Sequence, residues 1–150
     1  MVIQDREAEA RADEIRRVIV CSGKVYVDLM SAELRTSRSD VAICRLEQLY
    51  PVPMRDLRAA IDAFPEAGEV LWVQEEPENM GAWDFIRPHL VEVSGGRAVR
   101  RVARARSASP AEGSAARHAH HQQMLIAQAF AGKPVARSRA VADVAAPQPR

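Results

Sequence analysis

Missing from this 150-residue chain are a long apolar run, an excess of charge of either sign, and any close pair of cysteines. Without a run near the roughly 20 residues that cross a bilayer, no membrane-spanning helix is expected, and the amino end is charged rather than signal-like. Twenty-one Lys and Arg against twenty Asp and Glu leave a formal charge of +1, which excludes a general attraction to nucleic acid or to acidic membranes. Aromatic residues make up only 5% of the chain, so no stacking platform interleaves with its basic residues. The two cysteines, Cys21 and Cys44, lack the paired spacing of a zinc site or a secreted disulfide framework. They read as reduced core thiols in a cytoplasmic protein.

The length allows one domain that buries roughly 68–70% of its unfolded surface. Along it, apolar runs alternate with helical spacing. Strands are predicted at Arg17–Cys21, Val41–Leu46, Val70–Gln74 and Ala98–Ala103. Helices are predicted at Lys24–Leu34, at Met54–Phe64, from Gly81 onward, and at Ser114–Phe130. Pro53 suits a helix start and Pro65 a helix stop. Pro88 would cost about 3 kcal/mol inside a helix, so the helix after Trp83 is expected to kink or break near Arg87. Such alternation implies an α/β sheet covered on both faces. Residues 1–17, dense in Asp, Glu, Arg and Ala, read as a charged leader, either a solvated helix or a frayed segment, with nothing apolar enough to anchor it firmly, and residues 133–150 as a disordered tail. The domain proper is then 18–132.

One pattern occurs twice: a strand-like run stops at a small or polar turn that opens into a helix. In open parallel sheets, ligands collect at the carboxyl ends of strands, where helix N-termini present free N–H groups, so the two turns suggest an anion or nucleotide site. In the first turn, Cys21-Ser22-Gly23-Lys24, Gly23 permits close backbone approach and Lys24 offers a point charge. It lacks the spacing of GxxxxGK[ST], and a plain structural turn and an anion contact both remain open. In the second, Gln74-Glu75-Glu76-Pro77, the neighbouring carboxylates point to opposite faces of an extended chain, which suits interface or capping roles better than paired acid and base. Neither turn holds a complete catalytic apparatus. Trp83 reads as a core or interface residue.

His118, His120 and His121 raise a metal reading, yet no Glu or Cys joins them at ligand spacing, and a polar helix surface is the simpler one. Arg97, Arg100, Arg101, Arg104 and Arg106 form a basic strand edge. Near its carboxyl end, Arg104 or Arg106 is positioned by sequence to meet a phosphate or a partner's carboxylate.

Four segments, CSGKVYVDL, DVAICRLEQLYPVP, WVQEEPENMGAW, and RARSASPAEG followed by HHQQ, resemble in unbroken order the carboxy-terminal domain of the thiamine-diphosphate-dependent first component of the 2-oxoglutarate dehydrogenase complex. Pro88 and the HAHH run depart from that pattern. The resemblance implies a three-layer α/β/α fold of the transketolase carboxy-terminal type, with a mainly parallel sheet and an antiparallel edge strand. It implies a parent enzyme that decarboxylates 2-oxoglutarate on thiamine diphosphate and passes succinyl to the lipoyl arm of the succinyltransferase, alongside dihydrolipoyl dehydrogenase. Thiamine diphosphate and magnesium belong to other domains of that parent, and no GDG-type thiamine motif is present here; the chain alone, with no cofactor of its own, is expected to be inactive.

The same resemblance implies packing against the thiamine-binding domains, a contribution to a homodimer, and in some members a regulatory site for acetyl-CoA or AMP. Carried onto this chain, that site uses Ser22, Lys24, Gln74 and, more weakly, Gly81. Lys24 would meet phosphate and Gln74 the adenosine, with Arg104 or Arg106 as a second phosphate contact. The chain is accordingly expected to be a fragment, a split subunit or a gene remnant. The rival expectation is a free-standing sensor of acetyl-CoA or adenine nucleotides.

Overall fold

The computed structural model describes residues 1–110 and 112–134; most of the expected disordered tail lies outside the described residues. Five strands form one sheet in the order β1-β3-β2-β4-β5. They are β1 (Val2–Ile3), β2 (Arg17–Cys21), β3 (Val41–Leu46), β4 (Glu69–Pro77) and β5 (Ala98–Arg104). β2, β3, β4 and β5 run parallel, in registers such as Ile19 opposite Ile43 and Leu71. The antiparallel edge is β1, with Val2 opposite Leu46.

Why the central strands are apolar throughout follows from burial on both faces. Alternate residues serve alternate cores. Val18, Val20, Ala42, Cys44, Val70 and Trp72 pack beneath α4 (Met54–Asp62) and α5 (Trp83–Val93), through Leu57, Ile61, Ile86 and Leu90. Ile19, Cys21, Val41, Ile43, Leu71 and Val73 pack on the other side, beneath α2 (Val25–Met30) and α6 (Ala115–Phe130), through Val25, Leu29, Leu125 and Phe130. The result is the expected three-layer α/β/α arrangement. Chain direction places α2 and α5 on opposite faces, so the crevice between the carboxyl ends of β2 and β4 is the topological switch point of the sheet.

Three expectations are corrected. Residues 1–17 are not a loose leader. Beyond β1, the buried Asp5 carboxylate caps α1 (Arg6–Glu9) by accepting from Ala8 N at 3.1 Å, accepts from Ile43 N of β3 at 3.1 Å, and pairs with Arg35 at 2.9 Å. One short polar side chain thereby ties the segment down, and Ala8 and Ile15 are fully buried behind it. The single helix expected over Lys24–Leu34 is two, α2 and α3 (Glu33–Ser37). Ser31 Oγ donates to the Val27 carbonyl at 2.8 Å, side-chain competition of the kind that weakens a helix, and Ala32 is already extended. Helix α5, finally, does not break at Pro88 but continues to Val93. The proline forfeits one backbone donor, and burial of Ile86, Leu90 and Val93 on either side of it holds the helix against the sheet.

The amino ends of the strands are closed by ions. Arg17 donates through Nε to Glu69 at 2.7 Å, both side chains buried, and its Nη1 donates to the carbonyls of Ala129 and Ala131 at 2.9 Å each. Arg38 donates to the carbonyls of Phe130 and Gly132. Two guanidinium groups thus satisfy the free carbonyls at the end of α6, where the helix dipole favours positive charge.

Candidate functional site

The carboxyl ends of β2, β4 and β5 are joined by a polar network whose hub is Gln122 of α6. Its Nε2 donates to Asp28 and to Glu75, at 2.8 Å each, and its Oε1 accepts from Arg104 Nη2 at 2.9 Å. Asp28 in turn accepts from Lys24 Nζ at 2.7 Å. Glu112, in the loop before α6, accepts from His121 Nδ1 at 2.6 Å and from Arg104 Nη1 at 3.3 Å. Gln122 is buried because Leu125 and Ala129, one and two turns further on, pack α6 onto the sheet and leave the preceding turn over the strand ends.

Of the sequence-derived residues, Ser22 and Lys24 lie in the turn after β2. Gly23 adopts φ +73° with open space where a Cβ would stand, so the turn needs its left-handed backbone rather than a close approach. Lys24 is largely exposed, and its hydrogen bond to Asp28 raises its pKa. Burial pushes the Asp28 carboxyl up, but hydrogen bonds from Lys24 and Gln122 outweigh it and hold it below the ordinary range.

Gln74 has a different place from the one expected. It is buried, its Oε1 accepting from Trp72 Nε1 at 2.9 Å and from Trp83 N at 3.1 Å. Its Nε2 donates to the Met80 carbonyl at 2.7 Å, with Pro77 at 3.3 Å. An amide so engaged has no donor or acceptor left over for adenosine. It pins the turn between β4 and α5. Gly81, at φ +74°, backs onto it: a Cβ there would stand 2.7 Å from Gln74 Nε2. Trp83 lies half-buried under the Arg101 guanidinium, 5.6 Å from the ring centroid.

The Arg104 side chain is largely buried and Arg106 is exposed, on the β5 side of α6. Both line a cavity of about 490 Å³ between the loop after β5 and the first turns of α6, together with Glu112, Arg117, Met124 and Leu125. Lys24 lies on the opposite flank, in a shallow groove shared with Ser31, His118 and Gln122. The candidate residues therefore occupy two flanks of one helix, linked through Gln122.

Sequence reasoning missed Gln122, Asp28 and Glu112, although the HHQQ run and the helical spacing of Lys24 and Asp28 were signals. Glu112 joins His121 from a loop, which periodicity along one helix cannot reveal. Hydrogen bonding to His121, ahead of the opposing effect of burial, holds the Glu112 carboxyl below its ordinary range. Among the described residues no three His, Cys, Asp or Glu side chains converge on a metal-sized space. Nor is any described helix long and apolar enough to cross a membrane.

Comparison with known proteins matches residues 1–130 to the family described as 2-oxoglutarate dehydrogenase C-terminal. The chain is 43% identical over 131 residues to the 2-oxoglutarate dehydrogenase E1 component of Cupriavidus necator, covering 87% of this chain and 14% of that protein. It is 40% identical over 121 residues to the E1 component of an Exiguobacterium species, covering 79% and 13%. It is also 40% identical over 126 residues to the multifunctional 2-oxoglutarate metabolism enzyme of Mycolicibacterium vanbaalenii, covering 83% and 10%. The chain thus spans a small part of the length of these relatives.

Proposed function

The chain belongs to the 2-oxoglutarate dehydrogenase C-terminal family, and from that premise we propose that it is a structural and regulatory domain of a cytoplasmic 2-oxoglutarate dehydrogenase first component. The parent enzyme oxidatively decarboxylates 2-oxoglutarate on thiamine diphosphate with magnesium, both held in other domains, and delivers succinyl to the lipoyl groups of the succinyltransferase, which dihydrolipoyl dehydrogenase reoxidises. This domain packs on the thiamine-binding domains, supports a homodimer, and binds acetyl-CoA or AMP as an effector.

The observation that carries the regulatory half is the placing of the Ser22–Lys24 turn at the switch-point crevice, with Lys24 exposed and its cation not buried in the core. Ser22 and Lys24 supply the first phosphate contact. Arg104 or Arg106, across α6, supplies the second for a ligand with separated phosphates, as in acetyl-CoA. Gln74 and Gly81 act as scaffold for the β4–α5 turn.

The test is calorimetry on the chain with acetyl-CoA and with AMP, beside an assay of 2-oxoglutarate decarboxylation with added thiamine diphosphate and magnesium. Effector binding that falls about tenfold in Lys24→Ala, the loss of one charge-assisted contact, with no decarboxylation by the chain alone, is the expected result. Turnover by the isolated chain would sink the reading of a dependent domain, and unchanged binding in Lys24→Ala would sink the site.

A further inference from the structure

The cavity on the β5 flank of α6 has a chemistry of its own. At about 490 Å³ it falls within the range of small-molecule sites. Three arginines, Arg104, Arg106 and Arg117, line it against one carboxylate, Glu112. A concave wall with this excess of one sign concentrates counter-ions.

Two further observations point the same way. The 16-residue α6 begins at the cavity wall beside Gly113; Ser114 makes no side-chain capping bond, and no acidic residue occupies the first turn. Its first N–H groups and positive dipole end are left without the carboxylate that Asp5 supplies to α1. Independently, the Arg104 side chain is nine-tenths buried and held by Glu112 and Gln122, yet its Nε has no hydrogen-bond acceptor among the described residues. Buried polar atoms are ordinarily satisfied, so the exception marks a place for a partner. The rest of the lining includes Pro77, Met124 and Leu125, an apolar surface for a ligand body.

We infer that this cavity is a second anion site, which takes a small organic anion: a phosphate or carboxylate head on an apolar body. The head meets Arg117 and the start of α6, and the body lies along Met124 and Leu125. The site borrows Arg104 and Arg106 from the effector reading but stands on different walls, since the Arg104–Gln122 contact separates it from the groove of Lys24.

The experiment is an NMR titration of the full chain with hexyl phosphate, with hexanoate and with inorganic phosphate alone. Saturable shifts are expected at the amides of Gly113 to Arg117 and at the Met124 methyl, with inorganic phosphate moving the amides alone and binding more weakly. Whichever of hexyl phosphate and hexanoate binds tighter identifies the head. Arg117, being exposed, can be replaced without disturbing the core; Arg117→Gln should weaken binding about tenfold, the worth of one charge-assisted contact. Lys24→Ala should leave it unchanged. The proposal is overturned if neither organic anion gives saturable shifts in this region, or if Lys24→Ala loses as much as Arg117→Gln, which would assign the anion to the other flank. A chain that fails to bind acetyl-CoA or AMP, but still binds hexyl phosphate here, refutes the effector reading alone.

Discussion

The Gln74 carboxamide oxygen accepts the indole N–H of Trp72 at 2.9 Å. Residues two apart on a strand share a face, so the largest fully buried side chain is satisfied by its own neighbour on β4. The same oxygen takes Trp83 N, the first amide of α5, and the amide nitrogen takes the Met80 carbonyl. Core, turn and helix start are therefore set by one side chain.

Gln74→Met keeps the volume and removes the polarity. It should destabilise the chain by about 2–4 kcal/mol, since Trp72 Nε1, Trp83 N and the Met80 carbonyl all lose a partner in a buried place. Urea unfolding measures this; a loss below about 1 kcal/mol would show that the turn re-pairs by itself.

The Arg17–Glu69 pair is buried with hydrogen bonds on both members. Arg17→Met should cost about 3–5 kcal/mol, because Glu69 is left charged in the core with, among the described residues, only Arg100 Nε, 3.6 Å away, to answer it. Adding Glu69→Leu should recover most of that loss. A double variant no more stable than the single one would locate the cost in the freed α6 carbonyls instead.

Asp40 gives the acid limb of stability a definite sign. Arg38 holds its carboxyl below the ordinary value, through bonds at 2.8 and 3.1 Å that outweigh burial. A lowered folded pKa stabilises fully above the unfolded value, near 3.9, and the contribution disappears as pH falls through the folded one. Asp40→Asn should flatten the decline of the urea midpoint below about pH 4. An acid limb of unchanged slope would contradict the assignment.

Burial pushes the Cys44 thiol up to about 12 and that of Cys21 higher still. Since the thiolate is the reacting form, neither cysteine should react with a disulfide reagent at pH 8 in the folded chain, and both should react at once in guanidinium. Rapid labelling of either before unfolding would show that β2 or β3 opens locally.

Much of the sheet was legible because period and composition agreed there. β2 and β3 fall on their predicted bounds, since strands buried on both faces are continuous apolar runs. What escaped prediction depends on partners distant in sequence. Asp5 anchors the amino segment through Ile43 and Arg35, and no local pattern signals a cap that also serves a strand 38 residues away. The network hub was hidden for the same reason, Gln122 meeting Asp28 across 94 residues. Gln74 was found as a residue of interest, yet its role was not, because sequence shows a polar group at a strand end without showing how many of its bonds are already made. At Pro88 the local penalty was real and tertiary packing prevailed.

The reach of Arg17 has a consequence for how the domain comes into being. It lies on the first strand of the parallel sheet, yet the carbonyls it satisfies are 112 and 114 residues further along. During synthesis β2 and β4 can pair, but the cation at the start of β2 keeps its free N–H groups, and the Ile19–Leu71 face is covered by α2 alone, until α6 has emerged. Contacts of such sequence separation form late and slowly, after the entropy of a long loop has been overcome. Helix α6 is thus the closing piece of assembly, and a nascent chain that stops short of it presents a partly open hydrophobic face, the kind of surface that chaperones hold.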